Sequence, residues 1–560
     1  MTLGPDSPVQ NKRNLASFYT PRRVAQALTD WAITDANTTV LDPSFGGCAF
    51  LYAALETLRR TGNPAPGRQI CGVDIDPDAQ SYLEPLLLAG ATPEQFVIED
   101  FFNIAPDQFG GRCFGAVVGN PPYIRYHEIP DEAQERAVAR LKSFNIQISG
   151  RASYWAYFLL YSMQFLLKGG RLAMVLPGAF LHTDYSIQVR ELLIQYFERV
   201  TIYLLQERIF KGTDEESVLI CAAGARKPHR TLRIGAVKGV EDLEQVFEDM
   251  QSSTRALDNP HRDGGWLRAL IDPDALTLYD QLVESPNVIR MGKWIKTRIG
   301  VVTGNNEFFI LSRVEQEQRG IPDDYLIPII RRPVYLTGLW VRNEDLQALA
   351  ENGSKFLLFA PNQVESKLPK LLREYILYGK EIGVSQARKC RERRPWYVVP
   401  HTFVPPAFMP CMSAAWPRLV VNQSRYTCTN NILRLFWKEE RPAEDWLRLA
   451  LGTVSTLSQL SAELVGRSYG GGVLKLEPKE LARLAVPLVR VEASDELARK
   501  VNSLLRQNKL SEATDAVDSA LLASNIGLTA DRLERLRAAR NWLFLRRRQH
   551  RQDAQGILAS

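Results

Sequence analysis

The chain has 560 residues, enough for two or three domains. It is 45% hydrophobic and 24% charged with a formal net charge of +6, a globular composition that can bury a sizeable core and tolerate a polyanionic partner. No run of eighteen apolar residues and no basic-then-apolar leader occurs, so neither a membrane-spanning helix nor a secretory signal is expected. The seven cysteines include no CxxC pair, and no His/Cys/Asp spacing suits a metal. Cysteine usage of this kind suits a reducing, cytoplasmic compartment rather than a disulfide framework.

In chain order, residues 1–15 are polar and expected to be flexible. From 16 to 225, short apolar runs alternate with helical patterns. Strands are expected at 39–41, 70–74, 95–98, 115–118, 171–176, 200–204 and 217–222, and helices at 21–33, 49–61, 77–88, 152–167 and 186–197. This alternation predicts an α/β, doubly wound, seven-stranded Rossmann-like sheet, with ligands at the carboxyl ends of its strands. The last two strands are joined without a helical pattern, which suits an antiparallel pair. Residues 226–285 read as a connector. Residues 286–490 are rich in Pro, Gly, aromatic and basic residues and predict an irregular α+β domain. Residues 491–560 turn helical and basic, with eight arginines in 532–551 that read by default as a solvated amphipathic helix.

Four strand ends carry the chemistry. Asp42-Pro43-Ser44-Phe45-Gly46-Gly47-Cys48 follows the first strand and precedes a helix. Small residues there let backbone approach a ligand, and the helix N-terminus offers N–H donors. A tight turn in any α/β protein would look the same, but the absence of Lys-Ser/Thr excludes a P-loop. The second strand ends in Asp74-Ile75-Asp76-Pro77. Asp74 is placed to accept from ribose hydroxyls, while Asp76 before Pro77 reads as a helix cap. The third ends in Asp100-Phe101. This pair could grip an adenine, by its amino group and by its face, or be a solvated acid before a core ring. The fourth leads into Asn120-Pro121-Pro122-Tyr123. Two prolines stiffen that loop. It offers an amide, a proline carbonyl and an aromatic face to a planar ring with an exocyclic amino group. Hydrogen bonds to the Asn120 side-chain oxygen and the Pro121 carbonyl would aim the nitrogen lone pair at an electrophilic methyl, an effect of orientation and electrostatics.

With these four motifs in this order, the chain resembles the S-adenosylmethionine-dependent amino methyltransferases, and among them the TaqI-like, gamma-class adenine-N6 DNA methyltransferases. Phe18-Tyr19-Thr20-Pro21 is similar to their first cofactor motif. The resemblance implies S-adenosylmethionine as cofactor. It implies Tyr19, Thr20, Pro21, Asp42 and Gly46 around the methionine part, Asp74 beside the ribose, Asp100 and Phe101 at the adenine, and Ser44 and Ile75 as further cofactor-binding residues. It also implies Asn120, Pro121 and Tyr123 as the catalytic loop on a flipped base, with Asn120 bordering the cofactor too. A second stacking aromatic is expected at Phe210, which otherwise reads as core. The family usually carries glycine where this chain has Cys48.

The segments Ile299-Gly300-Val301-Val302-Thr303-Gly304-Asn305-Asn306 and Gly466-Arg467-Ser468-Tyr469-Gly470-Gly471-Gly472-Val473-Leu474-Lys475-Leu476-Glu477-Pro478 look like those that open and close the recognition domain of such enzymes. Between them, Arg388, Lys389, Arg391, Arg393 and Arg394 precede Trp396 and Tyr397. Basic residues beside aromatics suit phosphate contacts on double-stranded DNA, or else a solvated loop anchored by a core Trp. The expected activity is site-specific, adenine-N6 DNA methylation in a restriction–modification or related defence system. No nuclease-like strand pattern with PD…(D/E)xK spacing occurs before residue 16 or after 490, so any restriction endonuclease partner is expected as a separate protein. A non-catalytic DNA-binding module, and an NPPY enzyme acting on RNA or protein, are the competing readings.

Overall fold

Strands covered on both faces carry aliphatic residues without alternation, and short Val-, Leu- and Ala-rich runs of this kind build the first half of the chain. The computed structural model describes residues 20–109, 113–207, 209–210, 216–257, 265–351, 353–469, 472–488 and 494–557. It divides into two units, Met1–Leu270 and Ile271–Ser560.

The described part of the first unit runs α1 (Arg22–Ala32), β1 (Val40–Asp42), α2 (Ala49–Arg60), β2 (Ile70–Asp74), α3 (Glu84–Leu88), β3 (Phe96–Ile98) and β4 (Phe114–Gly119). It continues with α4 (Asp131–Lys142), α5 (Tyr154–Ser162), β5 (Leu166–Pro177), α6 (Ala179–His182), α7 (Asp184–Tyr196), β6 (Phe197–Leu205) and β7 (Ser217–Ala225). It closes with β8 (Thr231–Val237), α8 (Leu243–Glu248) and β9 (Arg255–Ala256). These strands form one sheet in the order β3-β2-β1-β4-β5-β7-β6-β8-β9. The strands from β1 to β5 pair in parallel, and β7 is antiparallel to both β5 and β6. The order reverses at β1, which lies between β2 and β4. This switch point opens a crevice at the carboxyl ends, where ligands of such sheets bind.

Successive residues of one strand feed opposite faces. Leu41, Val117, Leu172 and Met174 join a core with Trp155 and Leu159 of α5. Their neighbours Val40, Val118, Ala173 and Val175 join a second core with Val24 and Leu28 of α1 and Leu51 and Leu58 of α2. The sheet is therefore the middle layer of three.

All seven expected strands are present, and β8 and β9 extend the sheet from the stretch read as a connector. β8 runs parallel to β6, with Val200 opposite Leu232 and Ile202 opposite Ile234, so its apolar residues complete the edge. The helix expected over 77–88 is split into a 3-10 turn, Pro77–Tyr82, and the short α3. Pro85, in the first turn of α3, has no N–H for a continuous helix. The helix α4 was not anticipated, although Asp131 and Glu132 in its first turn and Arg140 and Lys142 in its last follow the helix dipole.

The second unit holds a five-stranded sheet in the order Ile295–Ile299, Ile432–Trp437, Ala407–Pro410, Val420–Gln423 and Trp340–Arg342. The segment 299–306 needs close backbone approach, since a Cβ at Gly304 (φ +92°) would lie 2.9 Å from Cys390 Sγ. The basic C-terminal helix is amphipathic, with Arg532, Arg535 and Arg548 exposed, but not all its arginines are solvated. In helix Ala530–Ile557, Arg547 is 1% exposed and its guanidinium pairs with the buried Glu463 at 2.8 and 3.1 Å. Arg537 bonds the buried Asp518 and Arg540 bonds Gln459. These arginines dock the helix onto Thr456–Val465 and its surroundings, which the arginine-rich composition alone could not reveal.

Candidate active site

Asp42 ends β1 and is 1% exposed. Its Oδ1 accepts the Ser44 N–H at 3.0 Å, and Ser44 Oγ donates to the Asn120 carbonyl at 3.2 Å. The first and fourth strand ends are thus tied directly. Gly119 makes that approach possible, because a Cβ there would lie 2.8 Å from Asp42 Oδ1. Burial pushes the Asp42 carboxyl up to about 8, with the Ser44 amide opposing the shift and the Asp74 charge adding to it.

Asp74 ends β2 and holds the neighbouring loops. Its Oδ2 accepts the Gly46 N–H at 2.7 Å and its Oδ1 accepts the Asp76 N–H at 2.9 Å. Burial raises this carboxyl as well, with the Asp76 and Gly46 amides opposing. Asp76 caps the following turn through the Asp78 N–H. Gly46 has φ +43°, and a Cβ there would meet nothing within 4 Å, so the loop borders open space. Ile75, beside Asp74, is 60% exposed. Cys48, where glycine is expected, sits in the left-handed region at φ 63°, the conformation glycine enters most readily. Its thiol turns into the core of α1 and α2, away from the open loop, and burial pushes it up to about 12.

At the third strand end, Asp100 and Phe101 take different parts. Asp100 is 6% exposed, with Oδ1 on the Phe102 N–H at 3.0 Å and Oδ2 on Arg136 Nε and Nη2 at 3.1 and 2.9 Å. Phe101 does not offer its ring to a ligand. It is 2% exposed and packs on Phe158, Tyr161 and Phe165 at 5.0–5.3 Å between centroids. Two successive Phe residues in a 3-10 turn both face the α5 core, and this removes the ring from the adenine role expected of it.

In the loop after β4, Pro121 is buried and Asn120, Pro122 and Tyr123 are half-buried. Tyr123 packs against both cores and meets Phe210 edge to face, with centroids 6.2 Å apart and planes at 85°. Residues 87 apart in sequence are thus brought together. Thr20 and Pro21 stand at the start of α1, and the Pro21 carbonyl accepts from Val24 and Ala25. Tyr19 lies outside the described residues. Arg136 is the residue that sequence reasoning missed. The helical signature of α4 could have shown its helix but not its partner.

In the second unit, Arg388 pairs with Glu392 at 3.6 Å and Lys389 with Glu392 at 2.7 Å, yet both remain exposed, as do Arg391 and Arg394. Arg393 differs. Its guanidinium donates to the Thr303 and Val302 carbonyls, and burial lowers its pKa. It joins the basic stretch to the segment 299–306 instead of facing solvent with its neighbours. Among the described residues no group of three His, Cys, Asp or Glu is placed to hold a metal, and no helix is long and apolar enough to cross a membrane.

Residues 8–261 match the family model described as N-6 DNA Methylase, and residues 263–522 match the C-terminal domain of type II methyltransferase M.Eco57I. The chain is similar to type II methyltransferase M.AccI of Acinetobacter calcoaceticus, 20% identical over 516 residues covering 90% of this chain and 92% of that one. It is also similar to M.XamI of Xanthomonas campestris pv. amaranthicola, 22% identical over 493 residues covering 84% and 85%. Among solved structures it shares its fold with the type IIL restriction-modification enzyme MmeI in complex with DNA. That match has 13% identity and a TM-score of 0.54, over 93% of this chain and 75% of that one. Two family models in tandem, and relatives matched over nearly their whole length, place the chain in the type II DNA methyltransferase family, with an N-6 adenine methylase domain.

Proposed function

We propose that the first unit takes S-adenosylmethionine across the carboxyl ends of β1, β2 and β3 and methylates N6 of an adenine extruded from duplex DNA. The second unit carries recognition contacts. The residues suit this cofactor. Asp74 Oδ2 accepts the Gly46 N–H and Oδ1 the Asp76 N–H, and a carboxylate with about four lone-pair directions keeps capacity for a ribose hydroxyl. Exposed Ile75 offers an apolar face to the adenine, and the open space at Gly46 leaves room for the methionine part near Asp42. Thr20, Pro21 and Ser44 complete this rim. Bound there, S-adenosylmethionine supplies an electrophilic methyl on sulfur, and its transfer to N6 leaves a neutral thioether.

The chain's own work is orientation. The Asn120 side-chain oxygen and the Pro121 carbonyl accept from the target amino group and turn its lone pair toward the methyl. The surplus proton leaves to water, since the loop carries no strong base. Tyr123 supplies a stacking face, and Phe210 borders it edge-on. Extruding the base costs roughly a few kcal/mol, which this aromatic pocket offsets. Arg388, Lys389, Arg391 and Arg394 serve as phosphate contacts, with Arg393 bracing them from within. A separately encoded restriction endonuclease is the natural companion of a type II methyltransferase of this kind.

The observation that carries this reading is the link from Asp42 through Ser44 to Asn120, which joins the cofactor side to the catalytic loop. Asn120→Ala should keep cofactor binding in calorimetry and lose methyl transfer to duplex DNA by about a hundredfold or more. Undiminished transfer by the variant would refute the mechanism.

A further inference from the structure

We propose that Arg136 is a positioning residue that fixes the Asp100 carboxylate as an obligate acceptor for the amino group of the cofactor's adenine, so that the site tells an adenine from a 6-oxopurine. The inference rests on the cofactor reading above.

A carboxylate has about four lone-pair directions. At Asp100 three of them are engaged, by the Phe102 N–H on Oδ1 and by Arg136 Nε and Nη2 on Oδ2. One direction remains, which matches the single hydrogen that an exocyclic amine can turn toward it. Both carboxylate oxygens already face donors. A ligand group that must accept, such as the O6 of hypoxanthine, would therefore meet an oxygen with no hydrogen to offer.

Arg136 is held for this task by its helix. Ala137 and Leu141 of α4 are buried, and they anchor the helix to the core around α5. One turn beyond Arg136, Arg140 donates to the Phe102 carbonyl at 2.9 Å and to the Asn103 carbonyl at 3.3 Å. Two arginines four residues apart thus staple α4 over the 3-10 turn Phe101–Asn103. Tyr154 closes the flank, with its ring 5.4 Å from Phe102 and its N–H on the Ile124 carbonyl of the catalytic loop at 2.9 Å. Both Arg136 contacts run to a single carboxylate oxygen, so a shorter or apolar side chain would release that oxygen to turn.

The test is calorimetric binding of S-adenosylhomocysteine and its 6-oxo counterpart, S-inosylhomocysteine, to the whole chain and to Arg136→Met and Arg136→Lys. The wild-type chain should prefer the adenosyl ligand by roughly a hundredfold or more, as a site built on a hydrogen bond to one group does. In R136M this preference should shrink to within about tenfold, with R136K between the two. Thermal unfolding of each variant establishes that it is folded. A folded R136M that keeps the wild-type ratio would overturn the role of Arg136 and leave the cofactor reading intact. A wild-type chain that binds neither ligand would overturn the cofactor reading, and this inference with it.

Discussion

Gly119→Ala tests the link between cofactor side and catalytic loop with one carbon atom. The added Cβ would lie 2.8 Å from Asp42 Oδ1 and 3.4 Å from Pro43 Cδ. An ordinary contact needs about 3.4 Å, so one side must give by roughly half an ångström. Asp42 is held by the Ser44 amide, and β4 is paired with β1 on one side and β5 on the other, with Gly119 opposite Met174. The displacement therefore falls on the loop that starts at Asn120. Overpacking of this kind costs about 1–3 kcal/mol, which lowers the melting temperature of a unit this size by several degrees. The larger effect is on rate, since sub-ångström misplacement of reacting groups slows a positioned reaction by about tenfold to a hundredfold. Single-turnover methylation of duplex DNA at saturating cofactor measures it, with calorimetry for cofactor affinity, which should change less. A variant with the wild-type single-turnover rate would refute the coupling of Asp42 to the catalytic loop.

Two further outcomes follow from buried charges. Burial places the Asp42 carboxyl at about 8, above its ordinary 3.8, so the cofactor-free fold holds a proton there at neutral pH. Stability from this group is fully present below 3.8 and is lost as pH rises through about 8. A cationic ligand favours the ionised form, so cofactor binding should release protons at pH 7 and its affinity should rise with pH, levelling above about 8. Calorimetry in buffers of different ionisation enthalpy checks this, and identical heats at pH 7 would rule it out. In the second unit, Arg547→Met leaves Glu463 buried without its counter-charge, at a cost of about 3–5 kcal/mol. The double variant R547M/E463L should recover most of that in denaturant unfolding. If R547M unfolds like the wild type but flattens the salt dependence of DNA binding, Arg547 contacts phosphate rather than Glu463.

Much of the catalytic unit was legible because local chemistry and global position coincide there. Asp42, Asp74 and the Asn120-Pro121-Pro122-Tyr123 loop each follow an aliphatic run, and aliphatic runs separated by helices favour a parallel sheet whose carboxyl ends share one edge. The resemblance implies Phe210 as a second ring on the target base, or else a core residue; in the structure it is 5% exposed within the core of α1 and α2 and meets Tyr123 edge to face. Where a side chain could serve either a ligand or the core, local pattern did not decide. Phe101 went to the core because Phe158, Tyr161 and Phe165 of the α5 region were waiting for it.

Arginine shows the same division most plainly. Its long, charged side chain looks alike in sequence whether it faces phosphate, caps a carbonyl or fills a buried ion pair. Arg388 and Arg391 stay exposed, Arg393 turns inward to the carbonyls of residues 302 and 303, Arg136 clasps Asp100, and Arg547 is sealed against Glu463. The chain's order of aliphatic runs, prolines and strand-end acids determined the fold class and the chemistry of the crevice, because those depend on neighbours a few residues away. Which arginines reach solvent was decided only by tertiary structure, because the carboxylates and carbonyls that claim the others lie tens of residues distant in sequence.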